Sequence, residues 1–327
     1  MINVKNTTLS DRIQKKRGCA RSSCRVYASN LRRINREFSK KKFDFSLKWL
    51  KADATAILSK IKNIKNVNTA RNLMSAALIG FDLLNDAENK QKYNIVLKTL
   101  NEKKAELQRE GVMTEKQKEA HVPWPRIVKL RRLLNREVRM SKLYKRKPNK
   151  TVITKIQRAL LLNLYSLLPP TRLDWSDLEI VTQAQFDVIP DKSTKNYLLL
   201  SKGGYKIYWR SFKTSKHMGE VVVLVRKHSP QLQKLLVTHT RWLLKNFPEN
   251  KFLLITVTGE KLTRNALTKF LQRTFRAYFK KNISATGLRR SFLTHEFDHS
   301  AVQKEQEKHK LMMHTRETAV KDYIRKT

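Results

Sequence analysis

Five residues in the second half of the chain have types and spacings suited to chemistry. Arg172 follows a diproline in Leu-Leu-Pro-Pro-Thr-Arg-Leu-Asp-Trp, and Lys213 sits in Ser-Phe-Lys-Thr-Ser-Lys. Arg289 lies in Thr-Gly-Leu-Arg-Arg-Ser-Phe-Leu-Thr-His, and His314 and Tyr323 follow, nine residues apart. A guanidinium is planar and permanently charged, so two at one centre would stabilise negative charge building on an oxyanion. A tyrosine hydroxyl, with an ordinary pKa of about 10, is a weak nucleophile until positive neighbours favour the phenolate. Lysine adds a proton donor. A lone Arg or Tyr means nothing here; the weight lies in four segments in this order.

Helices and a few strands must position these groups. Early in the chain, Val26, Tyr27, Leu31, Ile34 and Phe38 predict a helix capped by Ser22 or Ser23. Leu50, Ala54, Ile57, Leu58 and Ile61 predict another. Thr69 is expected to cap a third, with Leu73, Ala77, Phe81 and Leu84. Tyr93, Val96, Leu97, Leu100 and Leu107 form a fourth, closed by Gly111. These make a helical bundle over residues 1–112. A polar linker covers 113–123, and a second domain covers 124–327. There, a helix with Pro125 near its start is followed by one from about Thr151 to Leu167, ended by Pro169-Pro170. Four β-branched or aromatic runs then predict strands at Leu178–Val181, Tyr197–Leu200, Tyr205–Phe212 and Val221–Val225. Helical patterns resume at Ser229-Pro230 and Thr263. The expected fold class is α+β, with a small antiparallel sheet inside a mostly helical second domain.

Composition narrows the partners. Among 327 residues, 70 Lys+Arg stand against 27 Asp+Glu, a net charge of +43. Such charge repels itself and fits a polyanionic partner, with nucleic acid first. Hydrophobic residues at 40% fit a folded protein rather than a disordered one. Two Cys cannot build a disulfide framework and are expected as reduced thiols of an intracellular protein. The longest apolar stretch, Leu160 to Pro170, is about half a membrane span, and the N-terminus lacks a signal-peptide core. No membrane association is expected. Residues 1–50 hold 14 Lys/Arg against 3 Asp/Glu. Lys15, Lys16, Arg17, Arg21, Arg25, Arg32, Arg33 and Arg36 are the expected DNA-contacting set.

From Trp124 to the end, the four motifs together resemble the tyrosine recombinase (phage integrase-like) family. The Leu-Arg-Arg-Ser-Phe-Leu-Thr-His run is similar to the family's second-arginine box, and the His-to-Tyr interval is the family's own. The phrasing of Leu-Tyr-Ser-Leu-Leu-Pro-Pro-x-Arg and Phe-Lys-Thr-Ser-Lys is most like members from large DNA viruses, virophages and related mobile elements. The resemblance implies site-specific cleavage and rejoining of double-stranded DNA through a 3′-phosphotyrosyl intermediate. Tyr323 would be the nucleophile, Arg172 and Arg289 the phosphate clamp, Lys213 the general acid, and His314 a phosphate or proton-transfer partner. It further implies a core-binding role for the helical first domain, a homo-tetramer on DNA, and no metal or nucleotide cofactor. The host nucleus and a viral replication compartment are equally open. Type IB topoisomerases use the same chemistry, and a DNA-binding protein that has lost catalysis is the other alternative.

The chain departs from the family pattern in two places. Thr286 stands where the family usually has His, three residues before the second Arg; its hydroxyl can donate to a phosphate but cannot move a proton at neutral pH. Base help would then come from elsewhere, such as Asp174. Four residues follow Tyr323, too few for the C-terminal helix that many relatives dock on a neighbour. Asp174 or Asp177 is expected to orient an active-site Arg, while Trp175 and Trp209 belong to the core. His295-Glu296-Phe297-Asp298-His299 spells HExxH, but it lacks a third ligand at metzincin spacing, and no metal is expected.

Overall fold

The computed structural model describes residues 8–190, 194–298, 300–302 and 305. His299, His314 and Tyr323 lie outside the described residues. The chain divides into two units, Met1–Val112 and Met113–Thr327.

The first unit is helical: α1 (Leu9–Arg17), α2 (Arg21–Phe38), α3 (Lys48–Ala52), α4 (Ala54–Lys62), α5 (Val67–Leu83) and α6 (Ala87–Arg109). Ile13, Leu31, Ile34, Trp49, Ile57, Leu73, Phe81 and Tyr93 form its core. The basic run Lys15–Arg17 is the last turn of α1, where cations complement the helix dipole. A capping box between Thr8 and Asp11 starts that helix and left-handed Gly18 ends it. Three local expectations are corrected. Neither Ser22 nor Ser23 caps α2; its N-cap is Ala20, with no side-chain cap bond. The stretch from Leu50 to Ile61 is two helices, broken at Asp53, whose carboxylate accepts from Ser39 Oγ and Lys40 N. Asn66, rather than Thr69, caps α5, because its side chain accepts from Thr69 N at 3.0 Å.

The second unit opens with α7 (Glu115–Glu119), α8 (Trp124–Met140) and α9 (Lys150–Leu167). Next come β1 (Leu178–Thr182), α10 (Gln183–Asp187), β2 (Asn196–Leu200), β3 (Lys206–Trp209), α11 (Ser215–Met218), β4 (Val221–Leu224) and α12 (Val225–His228). The helices α13 (Pro230–Asn246), α14 (Arg264–Phe279) and α15 (Ala285–Glu296) complete it. α13 and α14 begin where the sequence has helical patterns resume, and Ser229 and Thr263 cap them. The polar stretch 113–123 is tied to this unit, since Lys281 Nζ donates to the carbonyls of Lys118 and His121.

The fold is α+β, mostly helical, with one four-stranded sheet in the order β1-β2-β3-β4. The sheet is mixed rather than wholly antiparallel. β2, β3 and β4 pair antiparallel, but β1 and β2 run parallel, Leu178 opposite Asn196. A parallel pair needs a crossover rather than a tight turn, and the connection through α10 supplies it. The core gathers Leu160, Tyr165, Trp175, Leu198, Ile207, Leu236 and Phe275. Among the described residues, no helix is long and apolar enough to cross a membrane.

Candidate active site

Arg172 is delivered by the way α9 stops. Leu168 precedes a proline and is extended at φ −126°, ψ 155°, since the proline ring disfavours helical backbone before it. Beyond the diproline, the buried Tyr165 hydroxyl donates to the Arg172 carbonyl at 2.6 Å. A one-turn 3-10 helix, Asp174–Asp177, follows. Its Trp175 is buried and meets Trp209 edge to face at 4.9 Å.

The segment carrying Lys213 is fixed by Asn196, a side chain only 1% exposed. Its Oδ1 accepts from the backbone N–H groups of Arg210 and Ser211 at 3.0 and 2.8 Å. Its Nδ2 donates to the Ser211 carbonyl at 2.9 Å. Arg210 also pairs with Glu220 across the excursion between β3 and β4.

Arg289 belongs to α15, whose cap is Ser284. Phe292 packs edge to face on Trp124 at 5.1 Å, so the helix is seated on the start of α8. Burial, then the charges of Lys281 and Arg290, hold the nearby His121 imidazole below its ordinary pKa.

Arg172 and Arg289 line one cavity of about 290 Å³, together with Asp174, Trp209, Phe212 and Thr214. Pro169, Pro170, Thr171, Met218 and Val221 complete its wall. Lys213 is exposed and does not line the cavity, though its two neighbours do. Thr286 is exposed in the first turn of α15, outside the lining. A cavity lined by two partly buried guanidiniums can bind an oxyanion and stabilise negative charge that builds on it.

The acidic residues act otherwise than the sequence predicts. Asp174 and Asp177 hold Arg264, not Arg172 or Arg289: Arg264 donates to Asp174 Oδ1 at 3.1 Å and to Asp177 Oδ2 at 2.5 Å. Lys261 reaches Asp177 Oδ1 at 2.7 Å. Burial pushes the Asp177 carboxyl up, but bonds from Lys261 and Arg264 outweigh it and hold the group below its usual range. The reason is position: Arg264 begins α14 and faces the 3-10 turn. The HExxH reading meets a break, since α15 ends at Glu296 and Phe297 is extended, so the string is not one helix. Among the described residues, no group of three His, Cys, Asp or Glu could hold a metal.

Of the expected DNA-contacting set, Lys15, Arg21, Arg25 and Arg32 are exposed, with Arg32 over the Phe43 ring at 5.9 Å. Lys16 is exposed and reaches Asn85 Oδ1 at 3.3 Å. Arg17 pairs with Asp82 at 3.6 Å, while Arg33 and Arg36 share Glu37 at 2.9 and 3.3 Å. A second basic surface escaped the sequence reading. Arg126, Lys129, Arg132, Arg136 and Arg139 are exposed along α8. The signal was present, since these cations alternate with the buried Ile127, Leu130, Leu134 and Val138 at helical spacing.

No family model and no curated protein matches the chain. Among solved structures it is similar to the XerH site-specific recombinase, in a crystal structure of the pre-cleavage complex with its difH substrate. The identity is 17%, over 98% of this chain and 86% of that one, with a TM-score of 0.47.

Proposed function

We propose that the chain is a tyrosine-type site-specific recombinase that cuts and rejoins double-stranded DNA. The observation that carries this reading is the cavity shared by Arg172 and Arg289, bordered by Phe212 and Thr214 on either side of Lys213. In the proposed reaction the Tyr323 phenolate attacks phosphorus while the bond to the 5′ oxygen breaks, leaving a 3′-phosphotyrosyl link. Arg172 and Arg289 meet the charge that builds on the non-bridging oxygens. Lys213 protonates the leaving 5′ oxygen and regains a proton from the incoming 5′ hydroxyl in the return step. His314 and Thr286 donate to the phosphate. The covalent link conserves the bond energy, so rejoining needs no nucleotide.

The net charge of +43 and the exposed cations of α1, α2 and α8 support a duplex DNA partner. In this reading, residues 1–112 grip DNA as a core-binding domain, residues 124–327 are catalytic, and four copies act together inside a cell. The motif phrasing favours an origin in a large DNA virus, virophage or related element, acting in the host nucleus or a viral replication compartment. The decisive experiment is incubation with nicked, labelled DNA in EDTA. A denaturant-stable adduct on the 3′ phosphate is expected, and Tyr323→Phe should abolish it while DNA binding survives. An adduct that persists in the Phe variant would refute the assignment of the nucleophile.

A further inference from the structure

Asp174 poses an electrostatic problem for an oxyanion site. Its side chain is 6% exposed and it lines the same cavity as Arg172 and Arg289. A buried carboxylate demands a counterion, and either arginine would satisfy it. Such a pair would remove much of the positive charge offered to a phosphate. The described contacts of Asp174 run elsewhere, to Arg264, which does not line the cavity.

We infer that Arg264 is a positioning residue: it occupies Asp174 so that Arg172 and Arg289 meet the ligand with their charge uncompensated. Three observations converge on it. Arg264 forks between Asp174 and Asp177, the two ends of the 3-10 turn that follows Arg172. A planar guanidinium can bridge two carboxylates in this way, whereas an ammonium acts as a point charge. Its backbone is fixed because it begins α14 behind the Thr263 cap, which accepts from Ala266 N at 3.3 Å. Lys261 takes the second oxygen of Asp177, leaving the Arg264 fork to tie that residue to Asp174. The inference rests on reading the cavity as a phosphate site.

The test uses the full chain and two readouts. The first is the rate at which phenylglyoxal modifies Arg172, resolved by mass spectrometry, because a guanidinium paired with carboxylate reacts slowly. The second is the rate of adduct formation on nicked DNA. Arg264→Gln keeps a donor but removes the charge, and both rates should fall about tenfold, within the range for coupled neighbours. Adding Asp174→Asn to that variant should restore both, and Arg264→Lys should fall between wild type and Gln. A purely structural role predicts that the double variant is no faster than Arg264→Gln, and that result would overturn the inference. So would an unchanged Arg172 modification rate in Arg264→Gln. A wild type that shows the modification pattern but forms no adduct counts against the recombinase reading alone. A normal adduct with no change in modification counts against the role of Arg264 alone.

Discussion

The hydroxyl of Tyr165 donates to the carbonyl oxygen of Arg172 at 2.6 Å, from a ring with no solvent exposure. Burial, and then the charge of Asp174, push that phenol above its ordinary pKa, so it stays protonated and able to donate. The last turns of α9 thereby control the backbone beyond the diproline. Tyr165→Phe should cost about 1 kcal/mol of stability, the net worth of one such bond. Misplacement of the guanidinium should slow adduct formation by up to about a hundredfold. In an Arg172→Ala background the stability cost should remain while the rate penalty vanishes. Urea unfolding and single-turnover cleavage read the two effects, and a rate penalty that survives without Arg172 would contradict the link.

His239 sets a pH dependence in the second unit. The ring is wholly buried, its Nε2 donates to the Leu253 carbonyl at 3.1 Å, and Nδ1 faces the Tyr144 hydroxyl at 3.4 Å. Burial holds its pKa down to about 4 from an ordinary 6.5, against the opposing effect of the bond to Leu253. The folded state therefore keeps it neutral where the unfolded chain is protonated. Its contribution is fully present above about pH 6.5 and is lost as pH falls toward 4, on the order of 3 kcal/mol in all. Asp177, held low, acts in the same direction at still lower pH. Urea midpoints across this range should fall in wild type and fall less steeply in His239→Gln. Equal slopes would show that the ring is protonated inside the fold.

Lys213 is exposed on a segment pinned by Asn196, so it can move while its base is held. If it protonates the leaving oxygen, Lys213→Ala should slow cleavage by roughly two to four decades. DNA with sulfur at the bridging 5′ position leaves without a proton and should recover the rate. Equal defects on both substrates would transfer the role to Lys216 or another donor.

Helix-ending and helix-starting chemistry was legible in the sequence. The diproline before Arg172, the helix starts at Ser229-Pro230 and Thr263, and the four strand runs all found their elements, because each signal acts within a few residues. Long-range pairings were not. The parallel register of β1 on β2 and the capture of Asp174 by Arg264 depend on tertiary proximity that no local spacing encodes. Val26 shows a subtler failure. It shares one side of the helical pattern with Leu31 and Ile34 yet is 57% exposed, while the smaller Cys24 and Ala28 are buried. On that side, α2 packs against α5, where a Cβ at Gly80 would press on Leu31 and Leu50. Close helix approach admits small residues to the core, so hydrophobicity alone finds Leu31 and Ile34 but misses Cys24 and Ala28.

On the proposed reading, the two basic surfaces should make separable contributions to DNA affinity. Neutralising a cation that touches a phosphate reduces the salt slope of binding by about 0.9, because one fewer counterion is released. Lys15, Lys16, Arg17 and Arg21 are exposed at the end of α1 and the start of α2, but Arg17 is already shared with Asp82. On α8, Arg126, Lys129, Arg132, Arg136 and Arg139 form an exposed stripe, and the one nearby helix carboxylate, Glu137, is paired with Lys155. Replacing Arg132, Arg136 and Arg139 with Gln should therefore lower the slope by about 2.7, if each contacts a phosphate. The four N-terminal changes should lower it by about 2.7 as well, with Arg17 contributing little. Combined, the two sets should add, since among the described residues they share no partner. Fluorescence anisotropy with duplex DNA between about 100 and 300 mM salt measures this directly. An unchanged slope for either set would identify that set as a solvated face that never meets the duplex.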